Sequence, residues 1–96
     1  LADAPAEAAA PVWARLVADP SRVVRRAAVD AVVGARRQDL RPLLESALGD
    51  ADAWVRWKAL RGLAELGSGP SAPAIERLLQ DPDFRVRLEA GAALRD

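Results

Sequence analysis

The side chains that enzymes most often use for chemistry are scarce in this sequence. Its 96 residues contain no Cys and no His, which excludes thiolate nucleophiles, sulfur metal ligands and the usual general base near neutral pH. Carboxylates remain, but general acid–base catalysis with them needs two that converge on one bond. The spacing predicts no such pair, and no glycine-rich phosphate loop is present. We therefore expect a protein that is not an enzyme and that uses no metal or cofactor.

The charged residues that remain recur at one fixed interval. Successive equivalents lie 31 residues apart, in the columns Asp19, Asp50 and Asp81; Arg25, Arg56 and Arg87; Val24, Val55 and Val86; Ala28, Ala59 and Ala90; and Pro11, Pro42 and Pro73. A residue type that is fixed in every unit serves the unit itself. We interpret the aspartate and arginine columns as a structural ladder and not as a ligand site.

A period of 31 residues predicts a repeat built from one helical hairpin. The first helix of each unit begins at the recurring proline, which suits the opening positions of a helix. The second helix follows a short turn and is expected to be capped by Ser21, Asp52 or Asp83. Stacking the hairpins makes a continuous core, so we predict an all-α, right-handed α-solenoid of three units, approximately 4–34, 35–65 and 66–96. The second helices would line its concave face.

The recurring segments are DPSRVVRRAAVDAV, DADAWVRWKALRGL and DPDFRVRLEAGAAL. This pattern resembles the short HEAT-like repeats of phycobilisome lyase subunits and many other bacterial proteins, and the resemblance covers essentially the whole chain. It implies that each arginine reaches the turn aspartate of an adjacent unit. It carries little information on function, because such repeats occur in scaffolds, enzyme subunits and regulators alike.

Two tryptophans depart from the repeat. Trp54 and Trp57 occupy columns whose residue type varies, and helical geometry places them with Arg61 on one stripe opposite the core positions. Aromatic and arginine side chains are enriched in binding hot spots, so this stripe could bind a partner; alternatively, the tryptophans pack between repeats. Neighbouring columns would complete the concave site with Arg26, Asp30, Lys58 and Arg85.

A protein or peptide is the partner that this surface suits best. The formal net charge is zero, which disfavours a phosphate backbone, although Trp57, Arg61 and Asp30 superficially match the inner-face residues of HEAT-like DNA glycosylases. The alternatives to a protein-interaction scaffold are a non-catalytic subunit of a lyase-type complex and a weak nucleic-acid-binding module. A Trp-centred protein site would respond little to salt, whereas binding of nucleic acid would weaken steeply.

The composition, and the position within the repeat at which the sequence starts, add expectations about the parent protein. No 18-residue apolar run and no signal peptide is present, so we expect no membrane partner and a cytoplasmic location. Thirteen Arg against one Lys is typical of a G+C-rich bacterial genome. Leu1 aligns with Leu63 and Leu94 at the tail of a second helix. We therefore expect the chain to be part of a longer array in which further repeats flank it.

Overall fold

The computed structural model describes residues 6–95, and these residues form helices joined by short turns. The expected helix tail at residues 1–4 lies outside that range. Three hairpins follow one another, and within residues 6–95 no strand is formed. The helices are α1 (Ala10–Val17), α2 (Arg22–Ala35), α3 (Arg41–Ala47), α4 (Ala53–Leu66), α5 (Ala72–Arg77) and α6 (Phe84–Arg95).

The first helix of each hairpin is short and begins where the recurring proline predicts. Pro11, Pro42 and Pro73 each occupy the second residue of α1, α3 and α5. Proline is tolerated there because the first N–H groups of a helix have no intrahelical acceptor. One turn of 3₁₀ helix precedes α3 and another precedes α5, at Gln38–Leu40 and Gly69–Ser71, and a third extends α5 at Leu78–Gln80.

The second helices differ in how they are capped. Ser21 accepts a hydrogen bond from Val24 N–H at 3.4 Å, as an N-cap residue does. The Asp83 carboxylate accepts one from Arg85 N–H at 2.8 Å. Asp52 occupies the N-cap position of α4 as expected, but its side chain accepts no capping hydrogen bond. An arginine of the preceding unit binds that carboxylate instead.

The core runs through all three hairpins and is lined by small and branched side chains. Val55, Ala59 and Leu63 of α4 are fully buried, and Trp13 of α1 is 1% exposed. Helix α4 lies in the middle, where it contacts α2 on one side and α6 on the other, while α3 packs on α4. Each unit therefore packs chiefly against its neighbours, which is the arrangement of an α-solenoid.

Aspartate–arginine pairs join successive units. Arg25 Nε donates to Asp50 Oδ2 at 2.9 Å, and Arg56 Nε donates to Asp81 Oδ2 at 2.8 Å. In both pairs Nη2 donates to the second carboxylate oxygen, so the contact is bidentate and charge-assisted. Two rungs of the ladder are therefore present. Within residues 6–95, Asp19 and Arg87 stand at its two ends without a partner of this kind.

Candidate functional site

The two tryptophans that interrupt the repeat lie side by side on α4. The centroids of the Trp54 and Trp57 rings are 6.2 Å apart, and the rings are tilted by 54°. Both side chains are half-buried and pack against the core. They are thus less exposed than the solvated stripe expected from the sequence, because large rings on a narrow helix also cover the small residues around them.

An arginine guanidinium lies over each of the two tryptophan rings. The guanidinium carbon of Arg26 lies 5.7 Å from the Trp54 centroid, and that of Arg61 lies 5.2 Å from the Trp57 centroid. These distances fall within the range of cation–π contacts. Arg26 belongs to α2, so its contact with Trp54 joins the first unit to the second, whereas Arg61 and Trp57 both belong to α4. Each of the two tryptophan rings is therefore in contact with one positively charged side chain.

A cleft of about 270 Å³ opens between the tryptophans and the third unit. Ala53, Trp54 and Trp57 form its wall on α4, and Asp83 and Arg85 form the facing wall at the start of α6. The α4 wall is apolar and the facing wall is charged. Such a mixture suits a ligand that places an apolar group against the rings and a polar group at the rim.

Asp52 is the residue that holds Arg26 over Trp54. Arg26 donates to the Asp52 carboxylate from Nε at 2.6 Å and from Nη2 at 2.9 Å. The Asp52 side chain is 9% exposed. The hydrogen bond from Arg26 holds the pKa of Asp52 below its ordinary value, against the opposing effect of burial. The ion pair with Asp52 therefore holds the Arg26 guanidinium against the Trp54 ring.

Asp83 and Arg85 form the charged rim of the cleft. Arg85 Nη2 lies 3.2 Å from Asp83 Oδ2, and the hydrogen bond from this arginine lowers the pKa of the Asp83 carboxyl. The Arg85 side chain is 70% exposed. Because an exposed ion pair contributes little to stability, either partner can exchange this contact for one with a ligand at small cost.

The remaining expected site residues extend the surface across α2 and α4. Lys58 Nζ lies 3.3 Å from Asp30 Oδ1, and the aspartate is 63% exposed. Six of the seven expected residues are thus joined by contacts in two groups: the chain Arg26, Trp54, Trp57 and Arg61, and the pair Asp30 and Lys58. Arg85 faces the tryptophans across the cleft.

Sequence reasoning missed part of the site. Asp52 and Asp83 were assigned only to helix capping, although the basic residues at Arg26 and Arg85 could have indicated ion pairs. Ala53 was missed because a small side chain carries no binding signal of its own. Its size nevertheless leaves the space that the cleft occupies.

A second polar network, away from this site, was also not foreseen. Ser71 is 1% exposed and its hydroxyl donates to Glu45 Oε2 at 2.6 Å. Arg41 donates to the same hydroxyl at 2.9 Å and to the Leu66 carbonyl at 2.8 Å. These bonds tie α3 to the turn before α5. The polar groups of Ser71, Glu45 and Arg41 are hydrogen-bonded to one another, so we assign these residues a structural role.

A similar structural role belongs to Arg37, which lies in the turn between α2 and α3. Its Nη1 donates to the carbonyls of Ala6 and Ala8, and Nε and Nη2 bind Asp39. Its side chain is 25% exposed. These hydrogen bonds therefore connect the segment before α1 to the second unit.

Nowhere in residues 6–95 do three or more carboxylates gather as they would around a metal ion. The longest helices there, α2 and α4, have 14 residues each, and none of the helices is of the length and apolar character that a bilayer crossing requires.

The repeat matches a known protein-family model. The family model described as HEAT repeats aligns with residues 9–95, which is most of the chain. A search of curated proteins finds no match.

Proposed function

Because the chain belongs to the HEAT repeat family, whose members generally act as scaffolds for protein–protein interaction, we propose that it binds a segment of another protein at the cleft beside Trp54 and Trp57. The observation that supports this proposal is the cleft itself. Two aromatic rings form one wall, and an exposed arginine and its aspartate form the other. Aromatic and arginine side chains supply much of the energy of protein interfaces.

The chemistry of the cleft suggests what the bound segment presents. An apolar side chain would lie against the two rings, where it removes apolar surface from water. A polar or charged group beside it would reach Asp83 or Arg85. Further along the second-helix surface, Asp30 is 63% exposed beside Lys58. Both signs of charge are therefore present, as a mixed polar rim around an apolar centre requires.

Binding can be tested with a displayed library of random peptides. Peptides that bind the wild-type protein are selected, and their affinities are measured by fluorescence anisotropy for the wild type, Trp57→Ala and Arg85→Gln. We expect Trp57→Ala to weaken binding by about 1–2 kcal/mol, or roughly tenfold. Arg85→Gln should weaken the binding of peptides that carry a carboxylate.

Two controls separate binding from folding. Trp57 is half-buried, so Trp57→Ala also lowers stability, and affinities are compared at a temperature where circular dichroism shows both proteins to be folded. The exposed Arg85 gives a variant that leaves the fold unchanged. Glu76→Gln, at an exposed position of α5, changes a charge outside the cleft. Its affinities should match those of the wild type.

The proposal would be overturned if the selected peptides bound Trp57→Ala and Arg85→Gln as tightly as the wild type. It would also be overturned if a single-stranded oligonucleotide bound where peptides do not, with an affinity that falls steeply as salt is raised. Aromatic stacking with arginine contacts can hold single strands, and release of counterions gives that salt dependence.

A further inference from the structure

The first interface, between the first and second units, and the second interface, between the second and third, use equivalent positions. In the 31-residue register, three residues of the first interface correspond to three of the second: Arg26 to Trp57, Asp52 to Asp83, and Trp54 to Arg85. The aspartate is kept, whereas the arginine and the tryptophan have exchanged places. This exchange makes the two interfaces different in what lies between their helices.

At the first interface, a guanidinium lies between the two units. Arg26 donates two hydrogen bonds to the Asp52 carboxylate, at 2.6 and 2.9 Å, and its guanidinium carbon lies 5.7 Å from the Trp54 centroid. The guanidinium thus has a carboxylate as its acceptor and an aromatic ring as its neighbour, and both contacts favour a planar cation. The first interface therefore shows which group these residue types bind when they are brought together.

At the second interface, the equivalent carboxylate is less tightly bound. Trp57 occupies the position from which an arginine would reach it. Among residues 6–95, the side chain that donates to the Asp83 carboxylate is Arg85 of the same unit, at 3.2 and 3.4 Å. Asp83 is 25% exposed, against 9% for Asp52. The cleft of about 270 Å³ lies between this carboxylate and the two tryptophan rings.

We propose that the cleft takes an arginine side chain of the bound segment, with its guanidinium on the Asp83 carboxylate and beside Trp54 and Trp57. This inference rests on the function proposed above and specifies the side chain that the partner presents. One arginine matches both walls of the cleft, because its methylene stem can lie on the rings while its charged end reaches the carboxylate. At the second interface, the partner's guanidinium would take the role that Arg26 has at the first.

A cation is a better occupant of the cleft than an anion because of what each would displace. A guanidinium on Asp83 displaces Arg85, which is 70% exposed and can turn into water at small cost. A carboxylate on Arg85 would instead leave the less exposed Asp83 without its partner, which costs more. Arg26 is already paired with Asp52. Arg61 is exposed, so water and salt screen its repulsion of a second cation.

Peptides with one fixed side chain test this proposal. Two libraries of random peptides, one with arginine and one with glutamate at the central position, are selected in parallel on the wild-type protein. The best binders are synthesised with arginine, lysine, citrulline or glutamate at that position, and fluorescence anisotropy gives their affinities. Lysine in place of arginine should weaken binding about fivefold, because it lacks the planar fork. Citrulline, which keeps the shape but not the charge, should weaken it about tenfold.

Two variants of the cleft should change the affinity for arginine peptides in opposite directions. Asp83→Asn should weaken it about tenfold and remove the difference between arginine and citrulline. This variant keeps the fold, because an asparagine oxygen can accept the same bond from Arg85 N–H. Arg85→Gln removes the competing guanidinium and should strengthen binding about twofold. Asp39→Asn, which removes an ion-paired carboxylate outside the cleft, should leave the affinity unchanged.

The outcomes separate this inference from the function on which it rests. The arginine site is excluded if glutamate peptides bind more tightly than arginine peptides. It is also excluded if arginine peptides keep their affinity with citrulline or on Asp83→Asn. In each of these cases, loss of affinity on Trp57→Ala would still support binding of a protein segment at the cleft. If neither library yields a peptide whose affinity falls on Trp57→Ala, the proposed function fails, and the arginine site fails with it.

Discussion

Asp81 shows how one buried carboxylate can hold two units together. Its side chain is 3% exposed and that of Arg56 is 14% exposed, so both charges are largely removed from water. Burial raises the pKa of Asp81. The hydrogen bonds from Arg56 and from Asp83 N–H, with the positive charge of Arg56, lower it further than burial raises it. The pKa therefore lies below its ordinary value, and the ionised form stabilises the fold.

The pH dependence of Asp81→Asn follows from this shift. A lowered pKa contributes stability that is fully present above the unfolded value, about 3.9, and that is lost as the pH falls through the folded value. Near neutral pH we expect Asp81→Asn to reduce the free energy of unfolding by about 2–3 kcal/mol, because Arg56 keeps its charge without a carboxylate. Below about pH 4 the difference from the wild type should shrink. Urea denaturation at several pH values measures both effects.

Asp39→Asn is the matched control for Asp81→Asn. Asp39 also pairs with an arginine and has a lowered pKa, but its side chain is 58% exposed. Its replacement should reduce stability much less at every pH. Equal losses for the two variants would contradict the role assigned to the buried rung.

The contacts of the recurring residues could be predicted from the sequence, whereas the contacts of residues that occur in only one unit could not. Three equivalent arginines and aspartates indicated the ladder, whose two rungs the structure contains. The bond between Arg26 and Asp52 occurs only once, because the arginine column continues as Trp57 and Leu88. Its formation depends on the conformations of long side chains that no periodicity fixes. The position of Trp54, which lies beside Arg26, was therefore left open between packing and binding.

At the scale of the element, α4 depends on a glycine that lets it approach its neighbours. A Cβ at Gly62 would lie 2.6 Å from Val33 Cγ2 of α2 and 3.0 Å from Leu44 Cδ1 of α3. Both distances are shorter than a normal contact. Gly91 of α6 is different, because a Cβ there would have no atom within 4 Å. Gly62 and Gly91 are therefore expected to respond in opposite ways to an added methyl group.

Substitution by alanine should have opposite effects on stability at Gly62 and at Gly91. Alanine favours a helix over glycine by about 1 kcal/mol, so Gly91→Ala should raise the free energy of unfolding by about 0.5–1 kcal/mol. Gly62→Ala gains the same helix propensity but overpacks the interface. We expect a net loss of about 1–2 kcal/mol, measured by thermal and urea denaturation.

A double-mutant cycle identifies the cause of that loss. Val33→Ala removes the atom that Gly62→Ala would approach most closely, so the double variant should be more stable than the sum of the single effects predicts. Additive effects, or stabilisation by Gly62→Ala alone, would show that α2 and α4 can separate without cost.

The first residues of the short helices could be predicted from the sequence, but the hydrogen bonds that hold these helices to neighbouring units could not. Proline at the second position marks α1, α3 and α5 in the sequence as well as in the structure. The bonds from Ser71 to Glu45 and Arg41 join residues 26 and 30 positions apart and have no counterpart among the recurring columns. Contacts of this kind arise only once the hairpins are stacked.

At the scale of the whole molecule, stability depends on a narrow core that each unit shares with its neighbours. Leu63 is fully buried in the central helix, and α4 is the element that joins α2 to α6. In a stack whose units contact chiefly their neighbours, a cavity in the middle unit weakens both interfaces. The central unit therefore couples the unfolding of the other two.

Leu63→Ala should reduce the free energy of unfolding by roughly 2–5 kcal/mol, because it removes buried methyl groups and leaves a cavity. Urea denaturation followed by circular dichroism measures the loss. The matched control is Leu88→Ala, at a position 63% exposed, which should change stability by no more than about 0.5 kcal/mol. A similar loss for both leucines would contradict the placement of Leu63 in the core.

The different surroundings of the three indole rings have a practical consequence. Trp13 is buried in the core, and its ring nitrogen has no hydrogen-bond partner among residues 6–95. Trp54 and Trp57 border an open cleft. Their fluorescence should therefore divide into a fraction that acrylamide quenches readily and a fraction that it reaches only after unfolding. The chain carries its own optical reporters, one for the integrity of the stack and another for occupancy of the cleft.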